Sequence, residues 1–175
     1  MDEKLKNLYL AMWQWDAGDP QLIQHFAKVH SFAKLIGATE GLDEETMFLL
    51  ETEALLHDIG IIPARKEFGS GSGKFQEKVS DPLVREMLGS LGFDPAVIDR
   101  AAYVVSHHHT YKDIDGIDYQ ILVEADFLVN LFEEDEPKEA VRTAGEKIFK
   151  TETGRKLLAQ MFLAPQQTPP KAVRG

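Results

Sequence analysis

The chain contains no cysteine among its 175 residues. This absence excludes disulfide bonds, thiolate zinc clusters and a cysteine nucleophile, and it fits a reducing compartment such as the cytoplasm. The sequence also lacks any run of about 18 apolar residues, so we expect no membrane-spanning helix. Its start, Met1-Asp2-Glu3-Lys4, lacks the basic and apolar segments of a signal peptide. Together these absences predict a cytoplasmic protein that does not enter a membrane.

Positive charge is scarce, because 19 lysines and arginines stand against 29 aspartates and glutamates, for a formal net charge of −10. A negative field of this size argues against broad binding to nucleic acid. It does not exclude a small anion, because a bound metal ion and a few local cations can dominate the field inside a pocket.

Apolar residues recur at three- and four-residue steps through most of the chain, and almost no segment alternates as a strand would. Start signals such as Asp19-Pro20 and Asp94-Pro95, a capping side chain followed by proline, separate the periodic segments. A chain of this length can bury one core without covalent staples. We therefore predict a single all-α domain over residues 1–163, a bundle of about six to eight helices. A disordered tail is predicted at 164–175, where prolines are frequent and apolar residues few.

Glycine and proline set several of the predicted boundaries. The helix that begins at Pro20 is predicted to end at Gly37. The segment Gly69–Gly73 alternates glycine with serine and is predicted to be flexible. The next helix is predicted to begin at Asp81-Pro82.

His57 and Asp58 adjoin in the run Ala54-Leu55-Leu56-His57-Asp58-Ile59-Gly60, at the end of a predicted helix. Imidazole offers a borderline-soft nitrogen and carboxylate a hard oxygen, a pair that suits a divalent transition metal. Neighbouring residues of a regular helix point about 100° apart, so one ion reaches both only where the helix loosens. The exit at Ile59-Gly60 is such a place, and His57 and Asp58 are therefore candidate metal ligands.

Two further candidates lie far from this pair in the sequence. His25 and Asp126 both sit in strongly apolar, helix-like segments. A polar group on the buried side of such a helix needs a partner, and a lone ionised carboxylate there is costly. Metal ligation explains both residues, and a bond to a core carbonyl is the alternative for His25. His30 points about 140° away from His25 on the same helix, so we expect it at the surface or behind the ligands.

The order His, His-Asp, Asp in these settings resembles the HD-domain superfamily of metal-dependent phosphohydrolases, over roughly Pro20 to Phe132. The string Ala-Leu-Leu-His-Asp-Ile-Gly carries most of the likeness, and Ala-Asp-Phe-Leu at 125–128 adds to it. The resemblance implies a helical bundle of the HD type that binds a divalent ion, whether Mn, Fe, Co, Ni, Zn or Mg.

The same resemblance implies roles for particular residues. The four implied metal ligands are His25, His57, Asp58 and Asp126. Asp58 would also act in catalysis by orienting the attacking water. The implied reaction is the hydrolysis of a small phosphate ester, such as a nucleotide or a related compound.

Three consecutive histidines, His107, His108 and His109, precede the segment of Asp126. Many superfamily members place one or two further histidines here, where they bind a second ion or contact the phosphate. As a working hypothesis, one histidine of this cluster protonates the leaving oxygen or stabilises the phosphate; His108 is the candidate catalytic residue, and His107 and His109 are candidate substrate contacts. The helical phase favours His107 or His108 as the inward residue, and exposure at the surface is the alternative.

The chain also departs from the pattern of members that hold two metal ions. No histidine lies between Gly60 and Arg100, where those members commonly have one, and Ile61 replaces a lysine that often follows the motif. Glu77 is the nearest substitute, as an oxygen ligand or a group that orients a water or contacts substrate. We therefore expect one tightly held ion and leave a second site open.

Cations gather around the glycine-serine segment, at Arg65, Lys66, Lys74, Lys78 and Arg85. A flexible segment just after a metal ligand can close over a site and clamp a phosphate, which makes Arg65, Lys66 and Lys74 candidate substrate contacts. The alternative, which we favour slightly, is a solvated loop with ordinary surface lysines.

Two other functions would use the same residues. A minority of proteins with this fold resemble di-iron oxygenases, which need additional ligands for two irons. The missing histidine weighs against this function, and Glu77 as a substitute ligand leaves it open. A metal- or nucleotide-binding regulatory module would use the ligands without turnover. The main prediction is a cytoplasmic metal-dependent phosphohydrolase whose partner is a small phosphorylated substrate. Nucleic acid and membranes are not expected as partners, and the formation of a homo-oligomer stays open.

Overall fold

The computed structural model of the protein describes residues 2–165, which form α-helices and contain no β-strand. The predicted all-α class is confirmed. Most of the predicted tail, 164–175, lies outside the described residues. None of the helices within 2–165 combines the length and apolar character needed to cross a bilayer. The helices are α1 (Glu3–Trp15), α2 (Pro20–Glu40), α3 (Glu44–Leu56), α4 (Ile61–Phe68), α5 (Gly73–Ser90), α6 (Pro95–Val105), α7 (Ile117–Glu133), α8 (Lys138–Lys147), α9 (Glu152–Leu158) and a π-helical turn (Ala159–Leu163).

Helix α3 lies at the centre of the fold and packs against α1, α2, α6 and α7. Every residue from Leu50 to Leu56 is buried, including the polar Glu51, Thr52 and Glu53. A helix that is buried on all sides presents no separate polar face, so its polar residues are buried together with its apolar ones. Its last turn therefore brings His57 into the interior of the protein.

Two apolar clusters make up the core. One joins α2, α3, α7 and the C-terminal helices through residues such as Val29, Leu128 and Phe149. The other joins α1, α2, α3, α5 and α6 through residues such as Phe26 and Leu88. Helices α2 and α3 belong to both clusters, so these two helices are held firmly along their length.

Helix α2 was predicted to end at Gly37, but it continues to Glu40. Its C-terminal glycine is Gly41, which takes the left-handed conformation with φ of +78°. Gly37 serves close packing instead, because a Cβ there would lie 2.6 Å from Met47 Sδ and 2.9 Å from Leu50 Cδ2 of α3. The glycine thus lets α2 and α3 approach each other rather than separating them.

Helix α5 also differs from its predicted extent, because it begins at Gly73 and passes through Pro82. A proline removes one helical hydrogen bond, yet the helix persists where packing outweighs that loss. Residues at four-residue steps, Gln76, Ser80, Val84 and Leu88, are all buried on one face across the proline. The predicted flexible segment is thereby reduced to a short connection between α4 and α5.

Buried Glu124 attaches the C-terminal helices to α7. Its Oε1 accepts hydrogen bonds from the backbone N–H groups of Lys150 (2.6 Å) and Thr151 (2.9 Å), and its Oε2 accepts one from Thr151 Oγ1 (2.5 Å). A carboxylate that is fully buried is stable only with such partners. Gly154 lies against this network, and a Cβ at that position would overlap Glu124 Oε2.

We therefore predict that Gly154→Ala lowers the free energy of unfolding by about 1–3 kcal/mol, because the added methyl group displaces the Glu124 carboxylate. Gly89→Ala is the matched control, since nothing lies within 4 Å of a Cβ at this other helical glycine. That control should be neutral or should stabilise by up to about 1 kcal/mol. Urea unfolding of both variants measures the difference, and equal stabilities would contradict the role of Glu124.

Candidate metal centre

Four of the residues singled out in the sequence meet at the junction of three helices. His25 lies near the start of α2, Asp126 lies in the middle of α7, and His57 and Asp58 directly follow α3. The exit turn after α3 is held from outside by α1, since Trp15 Nε1 donates a hydrogen bond to the Ile59 carbonyl at 3.2 Å. Packing of α2, α3 and α7 thus brings together side chains up to 101 residues apart in sequence.

The donor atoms of the other three residues lie around Nε2 of His25. His25 Nε2 lies 3.2 Å from His57 Nε2, 3.2 Å from Asp126 Oδ1 and 3.3 Å from Asp58 Oδ2. His57 Nε2 lies 3.4 Å from Asp58 Oδ2. Two imidazole nitrogens and two carboxylate oxygens at such separations form a donor set that suits a divalent transition metal. The side chains of the adjacent residues His57 and Asp58 point toward each other, which the loosened end of the helix allows. That His25, His57, Asp58 and Asp126 all act as metal ligands stays a prediction.

The imidazole rings are held so that their Nε2 atoms can act as ligands. His57 Nδ1 lies 2.9 Å from the Ala54 carbonyl, and His108 Nδ1 lies 2.8 Å from the Val105 carbonyl. Because a carbonyl only accepts hydrogen bonds, each Nδ1 carries the proton and each Nε2 presents a lone pair when the ring is neutral. A metal-binding histidine needs this arrangement.

A second group of donors adjoins the first. Asp58, His108 and His109 each offer one ligand atom within 4.8 Å of the others. Within residues 2–165, the buried Nε2 atoms of His108 and His109 have no hydrogen-bond partner, which is unfavourable unless something else binds them. Asp58 belongs to both groups, because its Oδ2 faces His25 and His57 whereas its Oδ1 lies 3.8 Å from His108 Nε2. These orphaned nitrogens fit a second cation next to the first.

Electrostatics in the centre reflect burial and opposite charges in competition. Burial opposes protonation of His25, but its bond to Asp126 and the charge of Asp58 outweigh burial and raise its pKa to about 9. The pKa of His57 is raised as well, against burial, chiefly by the charge of Asp58. Conversely, burial would raise the pKa of both aspartates, but His57 lowers that of Asp58 and His25 lowers that of Asp126. Without a metal ion, a proton on imidazole therefore balances the ionised aspartates.

The other substrate-contact candidates named from the sequence differ in whether they lie near the centre. Arg65 lines a cavity beside the centre, whereas Lys66 and Lys74 are exposed and are not among the residues of 2–165 that line it. Glu77 is half-buried and accepts a hydrogen bond from Thr110 Oγ1 at 2.9 Å, so one of its oxygens is already engaged. Of the three cations considered as substrate contacts, Arg65 is the one that lines this cavity within residues 2–165.

His107 requires a correction. It was a candidate substrate contact and one of two candidates for the inward residue, but it is exposed, stacks on Tyr103 with ring centroids 4.5 Å apart and donates from Nδ1 to the Tyr103 carbonyl. Because α6 ends at Val105, the three histidines follow in a turn, where helical phase no longer applies. His108 is buried and His109 is half-buried, so these two face the centre.

Sequence reasoning missed two polar residues at the site. Asn130 donates from Nδ2 to Asp126 Oδ1 at 2.9 Å, and Glu133 Oε2 accepts from His25 Nδ1 at 2.8 Å. They follow Asp126 by four and seven residues and so share its face of α7, which is the signal that could have found them. His30, expected at the surface or behind the ligands, is buried and bonded to Glu51 at 2.9 Å.

A cavity of about 170 Å³ opens beside the centre. His25 and Asp58 form its inner wall, and Arg65, Asn130 and Glu133 are among the other lining residues. A larger cavity of about 540 Å³ lies between α2 and α9, but it contains none of the donor residues. The smaller cavity is therefore the one that gives access to the chemistry.

Comparison with known proteins gives two findings. A model of the HD domain family matches residues 22–150. Among solved structures, the chain is similar to the crystal structure of a predicted HD superfamily hydrolase from an uncultured Thermotogales bacterium. The two share 24% sequence identity with a TM-score of 0.62, over 90% of this chain and 82% of that one, a likeness that shows the fold. No curated protein matches the chain.

We predict that metal affinity rises with pH. The pKa of His25 is raised to about 9 in the metal-free protein, so its Nε2 must lose a proton before an ion binds at neutral pH. Below that pKa, each unit of rising pH removes proton competition and should strengthen binding by up to about tenfold per proton released. Competition of Co²⁺ between the protein and a chromophoric chelator, from about pH 6.5 to 8.5, measures this dependence. A flat affinity over the range would show that binding displaces no proton.

A second prediction concerns the two donor groups. We expect Co²⁺ to bind first and more tightly at His25, His57, Asp58 and Asp126, and more weakly at the group that contains His108. His108→Ala should remove the weaker binding only, whereas the exposed neighbour substitution His107→Ala should change neither. Equilibrium dialysis with metal analysis gives the stoichiometry of each variant. Loss of the tight ion in His108→Ala, or unchanged weak binding, would contradict the assignment.

Proposed function

Because the chain belongs to the HD domain family, we propose that it is a metal-dependent phosphohydrolase that acts on a small phosphate ester. Membership rests on the match over residues 22–150, which confirms the resemblance indicated by the sequence motifs. One observation carries the proposal, namely that two histidines and two aspartates converge beside a cavity whose wall also holds an arginine.

The donor set explains what the residues can do. When bound, a divalent ion supplies a Lewis acid that withdraws charge from a phosphoryl oxygen and lowers the pKa of water. Asp58 lines the cavity and stays ionised because His57 and His25 lower its pKa against burial. An ionised carboxylate only accepts hydrogen bonds, so Asp58 is suited to orient a water for attack on phosphorus.

His108 fits a ligand role better than the proton-donor role expected from the sequence. Burial, with the nearby His109 and His57, lowers its pKa to about 3, so the ring is neutral near pH 7. Its single proton is on Nδ1 and is donated to the Val105 carbonyl, which leaves Nε2 with a lone pair and nothing to donate. A general acid must carry a proton at the atom that faces the substrate. We therefore assign His108 to the second donor group with Asp58 and His109.

Arg65 supports a phosphate ester as the substrate class. Its guanidinium borders the cavity, is about half exposed and contacts Asp19 at 3.2 Å, so it can reach an anion from the rim. A guanidinium offers paired donors that match two phosphate oxygens. The cavity is smaller than the roughly 300–1,000 Å³ usual for a ligand pocket, so it suits a phosphoryl group with the rest of the ester outside. A nucleotide or a related small ester is compatible with that placement.

One alternative has a specific observation in its favour. A di-iron oxygenase needs two adjacent ions, and the group of Asp58, His108 and His109 adjoins the first donor set. Metal analysis after expression in iron-supplemented medium, with an optical spectrum recorded under oxygen, separates the two functions. Two irons per chain with an oxygen-dependent absorption would support oxygenase chemistry and count against phosphate-ester hydrolysis.

We expect the wild-type protein to hydrolyse at least one member of a panel of nucleotides and small phosphate esters when Mn²⁺, Co²⁺, Ni²⁺ or Mg²⁺ is added. Asp58→Asn should lower kcat/KM at least about a thousandfold, since Lewis-acid and water-orienting contributions of several kcal/mol are lost together. Asp99→Asn is the control, because Asp99 is an exposed carboxylate paired with Arg85 away from the centre.

Circular dichroism should show that both variants keep the helical fold. A panel without metal-dependent turnover, despite tight metal binding, would favour the regulatory module over the enzyme. Full activity in Asp58→Asn on a responsive substrate would refute the role given to Asp58.

A further inference from the structure

His25 differs from the other inward histidines in the partner of its outer nitrogen. His57 and His108 each donate from Nδ1 to a backbone carbonyl of their own helix end. His25 instead donates from Nδ1 to the side chain of Glu133, at 2.8 Å, across the interface between α2 and α7. A carbonyl orients a ring, but a carboxylate also makes the imidazole a stronger donor to a metal.

Glu133 is itself fixed in place from the other side. Its second oxygen, Oε1, lies 2.5 Å from Lys28 Nζ, so each oxygen of the carboxylate has its own partner. Lys28 follows His25 by three residues on α2, so both contacts come from one face of that helix. These two contacts, one to each oxygen, hold the carboxylate in one orientation.

We infer that Glu133 is a positioning residue that sets the ring orientation and donor strength of His25 toward the metal ion. This inference rests on the proposed function only in assuming an ion at His25 Nε2. With Nδ1 bound to Glu133, Nε2 is the ring atom that faces the other donors, and it lies 3.2 Å from both Asp126 Oδ1 and His57 Nε2. Loss of the carboxylate frees the ring to rotate and weakens it as a ligand.

The neighbouring Glu134 provides a matched control. It carries the same charge and lines the same cavity, but it is exposed and has no hydrogen bond to His25. Any effect of overall charge on the attraction of a cation should therefore appear in both Glu133→Gln and Glu134→Gln. An effect confined to Glu133 reports the contact with His25.

The experiment measures the dissociation constant for Co²⁺ in the full-length protein. We expect Glu133→Gln to weaken binding by about ten- to a hundredfold and Glu133→Ala by at least as much, since neither keeps the charged partner. Glu134→Gln should change the constant by less than about threefold, as expected for a solvent-screened charge. Lys28→Met should have a smaller effect than Glu133→Gln, because Glu133 keeps its bond to the ring.

A second readout tests the contact itself and needs no metal or activity. In protein labelled with ¹⁵N-histidine, a hydrogen-bonded Nδ1 proton of His25 should appear as a slowly exchanging downfield resonance, assigned by its absence in His25→Asn. That resonance should persist in Glu134→Gln and disappear in Glu133→Ala. If Glu133→Ala does not fold by circular dichroism, the isosteric Glu133→Gln carries the test through the affinity measurement.

The outcomes separate this inference from the proposed function. Equal weakening of Co²⁺ binding in Glu133→Gln and Glu134→Gln would overturn the positioning role, whatever the enzyme hydrolyses. Retention of the His25 resonance in Glu133→Ala would overturn it as well. Selective weakening in Glu133→Gln, in a protein that hydrolyses no phosphate ester, would support the positioning role and leave the proposed activity without support.

Discussion

The requirement for charge balance in a buried space is the constraint on which the rest of this structure depends. Asp126 is 3% exposed, and Asp58 lies beside it at the end of the central helix, so two negative charges are withdrawn from water. Such a pair is stable only next to compensating positive charge. In the metal-free protein a proton on imidazole provides that charge, which is why burial fails to lower the pKa of His25 and His57. A divalent cation would balance both aspartates at once and release the imidazole nitrogens to bind it, so the same geometry serves either state.

Helix ends supply much of the geometry that this balance requires. The last carbonyls of a helix have no partner within the helix, and α3 and α6 both end beside the centre. The Ala54 carbonyl of α3 accepts a hydrogen bond from Nδ1 of His57, and the Val105 carbonyl of α6 accepts one from Nδ1 of His108. A single hydrogen bond thereby satisfies a carbonyl that has no partner within its helix and fixes the orientation of an imidazole ring. The negative end of α3 also makes the position after it a poor place for Asp58 unless a cation is near, which links the helix termination to the donor set.

The sequence predicts the parts of this site that depend on local pattern, and it misses the parts that depend on packing between helices. Residue chemistry and apolar context made His25, His57, Asp58 and Asp126 candidates, because buried polar groups on apolar helix faces need partners, and the resemblance to the HD superfamily joined them into one ligand set. The choice between His107 and His108 could not be made from helical phase, since α6 ends before both residues. Pro82 has the sequence pattern of a helix start, yet α5 continues through it because four residues on one face are buried. That burial depends on the packing of α6 against α5, which local sequence does not reveal. Glu133 was not predicted because its role depends on a contact with His25, which lies 108 positions away in the sequence.

The two donor groups differ in negative charge, and this difference determines which group binds a cation more tightly. The first group includes two carboxylates and two imidazoles, so one divalent ion brings its total charge to neutrality when the rings are neutral. The second group consists of Asp58, already shared with the first, and two imidazoles. A cation there gains two unpartnered nitrogens but little negative charge of its own, and it faces repulsion from its neighbour at low effective dielectric. Electrostatics therefore favour the first group, and negative charge arriving with a phosphate is what would make the second group a comparable site.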